Sequence, residues 1–90
     1  MEKYFAYVIK SVHHEYFYKG HCKDLEVRLR QHNAGMTKSI RPFMPFVIVY
    51  YEEYGTLSEA VKREKYFKSS RGRAFLKNKL SGPVVQCPPG

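Results

Sequence analysis

The chain has 90 residues and carries 16 Lys and Arg against eight Asp and Glu, a formal net charge of +8. This length suits one small domain, so we expect no second domain within these residues. Because no long apolar run or charged-then-apolar leader is present, we expect a cytoplasmic protein with no membrane partner and with Cys22 and Cys87 reduced. The charge makes a polyanion the leading partner, and a basic surface that only maintains solubility is the alternative.

Residues 3 to 10, KYFAYVIK, form a nearly continuous apolar and aromatic run, which is typical of a central strand covered on both faces. A short polar connection follows, and residues 15 to 22 then add aromatic side chains until Gly20 interrupts them. The two segments predict a β-hairpin. Because a glycine leaves space within a strand, we expect Gly20 to let a ligand approach the backbone beside Tyr18.

A helical period begins at Asp24, which can cap a helix. The residues at helical spacing are Leu25, Leu29 and His32. Gly35 ends the pattern, so we predict an amphipathic helix over residues 24–35. Two prolines and two basic residues indicate a loop over residues 35–45, and FVIVYYEE over residues 46–53 indicates another buried strand.

Two further helices are predicted near the C-terminal end. Thr56 and Glu59 form a capping box at the start of a helix over residues 56–68. Ser70 is expected to cap a shorter helix that contacts the core and ends at Gly82 and Pro83. The expected core contacts of this helix are Phe75, Leu76 and Leu80.

The order β, β, α, β, α, α predicts an α+β fold, in which about three helices flank a three-stranded antiparallel sheet. We expect a single domain over residues 1–82. Residues 83–90 show no periodicity and are expected to form a flexible C-terminal tail.

The helix over residues 56–68 contains an anomalous carboxylate. At roughly 100° per residue, Glu64 falls in the middle of the apolar arc formed by Leu57, Ala60, Val61 and Phe67. An unpaired carboxylate facing a core is costly, so Glu64 must be neutral, pair with a cation or bind a metal. A salt bridge to Arg28, Arg63 or a lysine is the structural alternative.

Other polar groups are expected near the same sheet. Arg28 and His32 lie one helical turn apart beside the apolar seam of their helix, and Tyr7 and Tyr18 are expected on one face of the hairpin. Structural roles are the alternative: an extended Arg28, a hydrogen-bonded boundary His32 and core tyrosines. We expect these groups and Glu64 to point toward one face of the sheet. Two phenols, a guanidinium, an imidazole and a carboxylate are the set of groups that phosphodiester hydrolysis requires. One carboxylate is too few for a two-metal nuclease.

In their order and spacing these residues resemble GIY-YIG nuclease domains, especially the small stand-alone bacterial proteins related to the N-terminal nuclease domain of the excinuclease C subunit. The resemblance covers roughly residues 4 to 80. The matching positions are Phe5-Ala6-Tyr7 in the first motif element, Tyr18-Lys19-Gly20 in the second, Arg28 and His32 in the helix, and Glu64. Leu76 stands where many relatives carry an asparagine, and Asn78 is the candidate substitute.

The resemblance implies a metal-dependent endonuclease that hydrolyses DNA with one divalent cation, Mg²⁺ or Mn²⁺, held by Glu64. It implies that Tyr18 or Tyr7 positions or deprotonates the attacking water. Arg28 would stabilise charge on the phosphate, and His32 would move a proton or orient Tyr18. DNA is favoured over RNA as the substrate. Since the family often carries a separate DNA-binding domain, substrate choice is expected to come from this domain itself or from a protein partner that supplies targeting.

A non-catalytic nucleic-acid-binding module is the alternative function. A phosphate track would then be lined by Lys19, Lys23, Lys38 and Arg41, together with Lys10 and Arg30. A solvated basic surface with no fixed ligand is the structural alternative. Glu64 favours the endonuclease hypothesis, because a carboxylate would only lower the affinity of a binding module for phosphates.

Overall fold

A computed structural model describes residues 2–80. Its elements are β1 (Tyr4–Ser11), β2 (Phe17–Cys22), α1 (Leu25–Asn33), a 3₁₀ helix (Lys38–Phe43), β3 (Phe46–Tyr54), α2 (Leu57–Lys68) and α3 (Ser70–Leu80). The predicted α+β fold is confirmed. Within the described range, no helix has the length and apolarity needed to cross a membrane. The predicted helix stop at Gly82 and Pro83, the tail over residues 83–90 and Cys87 lie outside the described residues.

The three strands form one antiparallel sheet in the order β2-β1-β3, so the prediction of a central first strand is confirmed. In the register of β1 and β2, Tyr7 lies opposite Gly20 and Ile9 lies opposite Tyr18. Side chains directly opposite each other point to the same face of a sheet. Tyr18 therefore shares a face with Tyr7, as predicted.

Alternation along β1 divides the core into two layers. Tyr7 and Ile9 pack with Ile40 of the 3₁₀ helix and with Phe46, and α1 covers this face through its leucines. The next residues along the strand, Ala6 and Val8, pack on the opposite face. There they meet α2 and α3 at Phe67 and Leu76. The core is divided in this way because successive side chains of a strand point to opposite faces of the sheet.

The predicted helix starts are confirmed for α1 and α2. The Asp24 carboxylate accepts the Val27 N–H at 3.1 Å, and the Thr56 hydroxyl accepts the Glu59 N–H at 3.2 Å. Each side chain satisfies a backbone donor that the first turn leaves unpaired.

Three local predictions were wrong. Ser69, not Ser70, caps α3: its hydroxyl accepts the Gly72 N–H at 3.1 Å, whereas Ser70 is already helical. The predicted loop contains the 3₁₀ helix, which buried Ile40 anchors on the sheet. Leu57, assigned to the apolar arc of α2, is 48% exposed because it is the first residue of the helix, and Ala60 and Phe67 reach the core instead.

A polar network joins β3 to α2. The Glu52 carboxylate accepts hydrogen bonds from the hydroxyls of Tyr50 and Tyr54 and from two nitrogens of Arg63, at 2.7 and 3.2 Å. The Arg63 guanidinium also lies 4.5 Å from the centre of the Tyr66 ring. Arg63 therefore pairs with Glu52, which excludes it as the partner proposed for Glu64.

Candidate active site at the edge of β2

A hydrogen-bonded cluster lies between the sheet and α1. The Tyr7 hydroxyl is 2.8 Å from Nε2 of His32, and Nε of Arg28 donates to the same hydroxyl at 3.4 Å. On the far side of the imidazole, Nδ1 of His32 lies 3.1 Å from the Thr37 hydroxyl. The chain of contacts from Arg28 to Thr37 fixes Tyr7 and His32, which are both buried.

The protonation states of this cluster follow from its burial. Burial raises the pKa of Tyr7 to about 12, although the neighbouring Arg28 acts in the opposite direction. Burial, reinforced by Arg28, lowers the pKa of His32 to about 4. At neutral pH the phenol is thus protonated and the imidazole neutral. Since Arg28 only donates, the Tyr7 O–H can donate to Nε2 while Nδ1–H donates to Thr37.

Gly20 provides room for the Tyr7 phenol. A Cβ at Gly20 would lie 2.5 Å from the Tyr7 hydroxyl and 2.7 Å from the adjacent ring carbon. The expectation that this glycine opens the backbone to a ligand beside Tyr18 was therefore wrong. The space is filled by the tyrosine directly across the two strands.

Tyr18 is the more accessible of the two phenols. Its ring is half-buried and meets the edge of the His32 ring at a centroid distance of 5.0 Å. Among residues 2–80, no group hydrogen-bonds the Tyr18 hydroxyl. The neutral imidazole thus orients this ring by packing and leaves its hydroxyl available to a ligand.

Glu64 belongs to the other layer of the molecule. One carboxylate oxygen is 2.5 Å from Nδ1 of His21, and the other is 2.7 Å from the Lys68 ammonium. His21 lies opposite Ala6, on the face that α2 and α3 cover. The expectation that Glu64 shares a sheet face with the tyrosines and Arg28 was therefore wrong, because α2 packs on the opposite face. A lysine salt bridge, one of the alternatives, is present.

The Glu64 carboxylate is ionised at neutral pH. Burial raises its pKa, but the hydrogen bonds from Lys68 and His21 outweigh burial and hold the pKa below its usual range. The hydrogen bond with Glu64 in turn raises the pKa of Lys68. The side chain of Glu64 is 16% exposed and that of Lys68 is 53% exposed, so the lysine can move away without disturbing the core.

One carboxylate fits a particular kind of metal site. No three His, Cys, Asp or Glu side chains within residues 2–80 are arranged to hold a metal ion. Mg²⁺, however, commonly keeps several waters and binds one or two carboxylates together with substrate phosphates. The ionised, partly buried Glu64 meets that requirement once Lys68 is displaced.

The two layers meet at β2, which is one of the two edge strands of the sheet. The pKa of Lys68 is raised mainly by its hydrogen bond to Glu64, and the Tyr18 phenol raises it further. The phenol also acts on Arg28, whose pKa is raised first by its hydrogen bond to Tyr7. Tyr18 therefore lies within electrostatic range of cations from both layers.

The four basic residues assigned to a phosphate track occupy separate places. Lys19 lies on the face covered by α3, whereas Lys38 and Arg41 lie on the 3₁₀ helix of the other face. Arg41 donates to the Gly35 carbonyl oxygen at 2.6 Å. Lys23 pairs with Glu2 at 3.2 Å. The structure therefore does not join these residues into one continuous strip.

Sequence reasoning missed four residues that contact the predicted set: His21, Gln31, Thr37 and Lys68. Lys68 and Gln31 had a visible signal, since Lys68 lies four residues after Glu64 and Gln31 three residues after Arg28 on the same helix. The other two contacts depend on tertiary packing. Leu76, at the place of the family's asparagine, is buried in the core, whereas Asn78 is exposed.

Acid is expected to destabilise the fold through His32. In the unfolded chain this imidazole takes up a proton near pH 6.5, but in the fold only near pH 4. Between these values the unfolded state binds more protons, so stability falls as the pH is lowered, by an amount on the order of 3 kcal/mol from His32. Urea unfolding from about pH 7 to pH 4 should show a shallower decline for His32→Gln than for the wild type.

His13→Gln is the matched control, because His13 is an exposed histidine in the hairpin connection. It should keep the wild-type pH dependence, and the carboxylates with lowered pKa values contribute equally to all three proteins. Parallel curves for His32→Gln and the wild type would show that His32 is not buried in the neutral form.

Comparisons with known proteins identify the family of the chain. A model of the GIY-YIG catalytic domain matches residues 3–79. A UPF0213 protein of Staphylococcus epidermidis is 37% identical over 78 residues, which cover 86% of this chain and 94% of the relative. One from Staphylococcus saprophyticus is 36% identical over the same length.

A solved structure also matches the fold. The solution NMR structure of a UPF0213 protein from Bacillus halodurans superimposes with a TM-score of 0.52 at 25% sequence identity, covering 90% of this chain and 88% of that one. The matched domain spans both layers that meet at β2. The chain therefore belongs to the GIY-YIG family of nuclease domains.

Proposed function

We propose that the protein is a metal-dependent endonuclease that hydrolyses phosphodiester bonds in DNA with a single divalent cation. One observation carries the proposal: β2 presents Tyr18 to His32 on one face of the sheet and His21, three residues further along, to Glu64 on the other face. A water at the phenol and a phosphate at the carboxylate would thus meet at the outer edge of β2.

Tyr18 is the proposed group that positions the water and accepts its proton. Cations beside the reacting water favour the loss of its proton, and the candidate cations are Arg28, which contacts Tyr7 on the same sheet face, and Lys68, which holds Glu64. Tyr7 is less suited to this role, because burial raises its pKa to about 12 and its hydroxyl is engaged with His32. We assign Tyr7 and His32 to holding Arg28 and Tyr18 in place.

Arg28 is the proposed contact for the phosphate. Its guanidinium donates to Tyr7 and, at 2.9 Å, to the Gln31 side chain, which leaves further N–H groups for phosphate oxygens. The two internal hydrogen bonds fix the direction of the guanidinium. A fixed donor needs no rearrangement as charge develops on the phosphate.

Glu64 is the proposed ligand for Mg²⁺ or Mn²⁺. When bound, the cation would neutralise charge on the phosphate and stabilise the leaving oxygen. Lys68 leaves the carboxylate when the site is loaded, and its ammonium is then free to contact a phosphate oxygen. We further propose a cytoplasmic location, DNA in preference to RNA as the substrate, and a protein partner that supplies targeting.

A non-catalytic nucleic-acid-binding module is the second candidate. It is favoured by the occupation of both Glu64 oxygens, which are held by His21 and Lys68. These two partners stabilise the charge of the partly buried carboxylate, so a metal ion is not needed to explain its burial.

Tyr18→Phe is expected to lower cleavage about a hundredfold or more, because the ring and its packing remain while the hydroxyl is lost. Branched, nicked and single-stranded DNA should be incubated with the wild type and the variant in Mg²⁺ or Mn²⁺. Addition of EDTA should abolish the wild-type activity.

Tyr51→Phe serves as the matched control, since Tyr51 is a 53% exposed tyrosine of β3, the edge strand opposite β2. This variant should cleave at the wild-type rate. Wild-type protein that cuts none of the substrates but binds them with strongly salt-dependent affinity would establish the binding module instead.

A further inference from the structure

A groove of about 620 Å³ lies on the face of the sheet covered by α3. Its floor is apolar and consists of Val8, Phe17, Val49, Leu76 and Leu80. The volume falls within the range of about 300–1,000 Å³ that is typical of small-molecule pockets. It is therefore large enough for a planar group.

The rim of the groove is strongly basic. It is formed by Lys10, Lys19, Arg73, Lys77 and one carboxylate, Glu15. Lys10 lies 3.5 Å from that carboxylate, so the acid is already paired. Within the described part of the chain, neither Lys19 nor Arg73 forms a salt bridge. Lys19 and Arg73 thus give the rim positive charge that Glu15, already paired with Lys10, does not neutralise.

Lys19 links the groove to the candidate active site. Burial lowers the pKa of Lys19, and the nearby cations Arg73 and Lys68 lower it further. Arg73 belongs to the groove, whereas Lys68 holds Glu64. Lys19 and Arg73 line the same groove, and Lys68 lies on α2, which packs on the same face of the sheet as α3. Like charges on one face favour an anion between them.

We propose that this groove holds one unpaired nucleotide of the DNA strand, with its base on the apolar floor beside Phe17 and its phosphate between Lys19 and Arg73. The inference rests on the proposed function and specifies its substrate class. In a duplex the flat face of a base is covered by its neighbours, whereas an unpaired base can leave the stack and pack on apolar or aromatic side chains. An apolar floor with a cationic rim suits that combination of groups.

The test measures binding by fluorescence anisotropy in EDTA, with a labelled single-stranded DNA of about ten nucleotides. Phe17→Leu should weaken this binding about tenfold, because a stacking surface is lost. Arg73→Gln should weaken it about threefold or more and reduce the salt-dependence slope by about 0.7. A fully paired duplex should bind wild type and Phe17→Leu equally.

Arg71→Gln is the matched control, because Arg71 is an exposed arginine of the same helix and does not line the groove. It should leave single-strand binding within about twofold of the wild type. The groove assignment is overturned if Arg71→Gln and Arg73→Gln weaken binding equally, or if Phe17→Leu weakens duplex binding as much as single-strand binding.

These measurements are independent of cleavage. Because they are made without metal, a protein that never cuts DNA can still support the groove, and an active nuclease can still lack it. Thermal unfolding followed by circular dichroism confirms that each variant is folded at the binding temperature. Since Arg73 is exposed, Arg73→Gln tests the groove without disturbing the core.

Discussion

Replacing Glu64 with glutamine is expected to lower DNA cleavage by about a thousandfold or more. The substitution keeps the shape of the side chain but removes the charge that would hold a divalent cation, and a cation on a transferring phosphate contributes several kcal/mol to the transition state. The loss should appear in kcat and not in KM. DNA binding in EDTA should stay equal or become tighter, because a negative charge is removed beside Lys68.

Glu26→Gln makes the same chemical change at an exposed position of α1 and is the matched control. It should cleave at close to the wild-type rate. Cleavage by Glu64→Gln within tenfold of the wild type, with the same dependence on Mg²⁺, would show that the carboxylate only forms the salt bridge to Lys68 and is not a metal ligand.

Gly72→Ala is expected to destabilise the protein by about 3 kcal/mol or more, the largest effect on stability predicted for this chain. A Cβ at this position would lie 1.7 Å from the Tyr66 carbonyl oxygen and 2.7 Å from the Phe67 Cα. Both are backbone atoms, so no side-chain rotation can relieve the overlap. Thermal unfolding should show a midpoint lowered by more than about 10 °C.

Gly55→Ala is the control for this change. A Cβ there has no neighbour within 4 Å, and Gly55 does not have a positive φ. Its stability should remain within about 1 kcal/mol of the wild type. If the two alanine variants unfold at the same temperature, α2 and α3 do not meet as closely as described.

Much of the fold was predictable because it depends on local patterns. The continuous apolar run of residues 3 to 10 indicated a strand buried on both faces, and the Asp24 and Thr56 caps marked two helix starts. The cap of α3 was placed one residue late. Two adjacent serines offer the same side chain, and only the backbone conformation of Ser69 distinguishes them.

The arrangement of the candidate site was only partly predictable from the sequence. A helical wheel placed Glu64 on the inner side of α2, but it does not tell which face of the sheet α2 covers. Gly20 indicated a close approach within the strand, yet only the pairing of β1 with β2 identifies Tyr7 as the group that fills the space. His21 was missed for the same reason: its contact with Glu64 joins residues 43 positions apart.

The short connection at Ser69 fixes the distance between Glu64 of α2 and Arg73 of α3. This single residue ends α2 and begins α3, and the tight packing of Gly72 against α2 prevents the two helices from hinging. Glu64 and Arg73 therefore move as parts of one rigid piece. If Arg73 binds one nucleotide of a DNA strand and the strand is cleaved at Glu64, as proposed, the cleaved bond would lie a constant number of bonds from the bound nucleotide. The products would then have uniform ends.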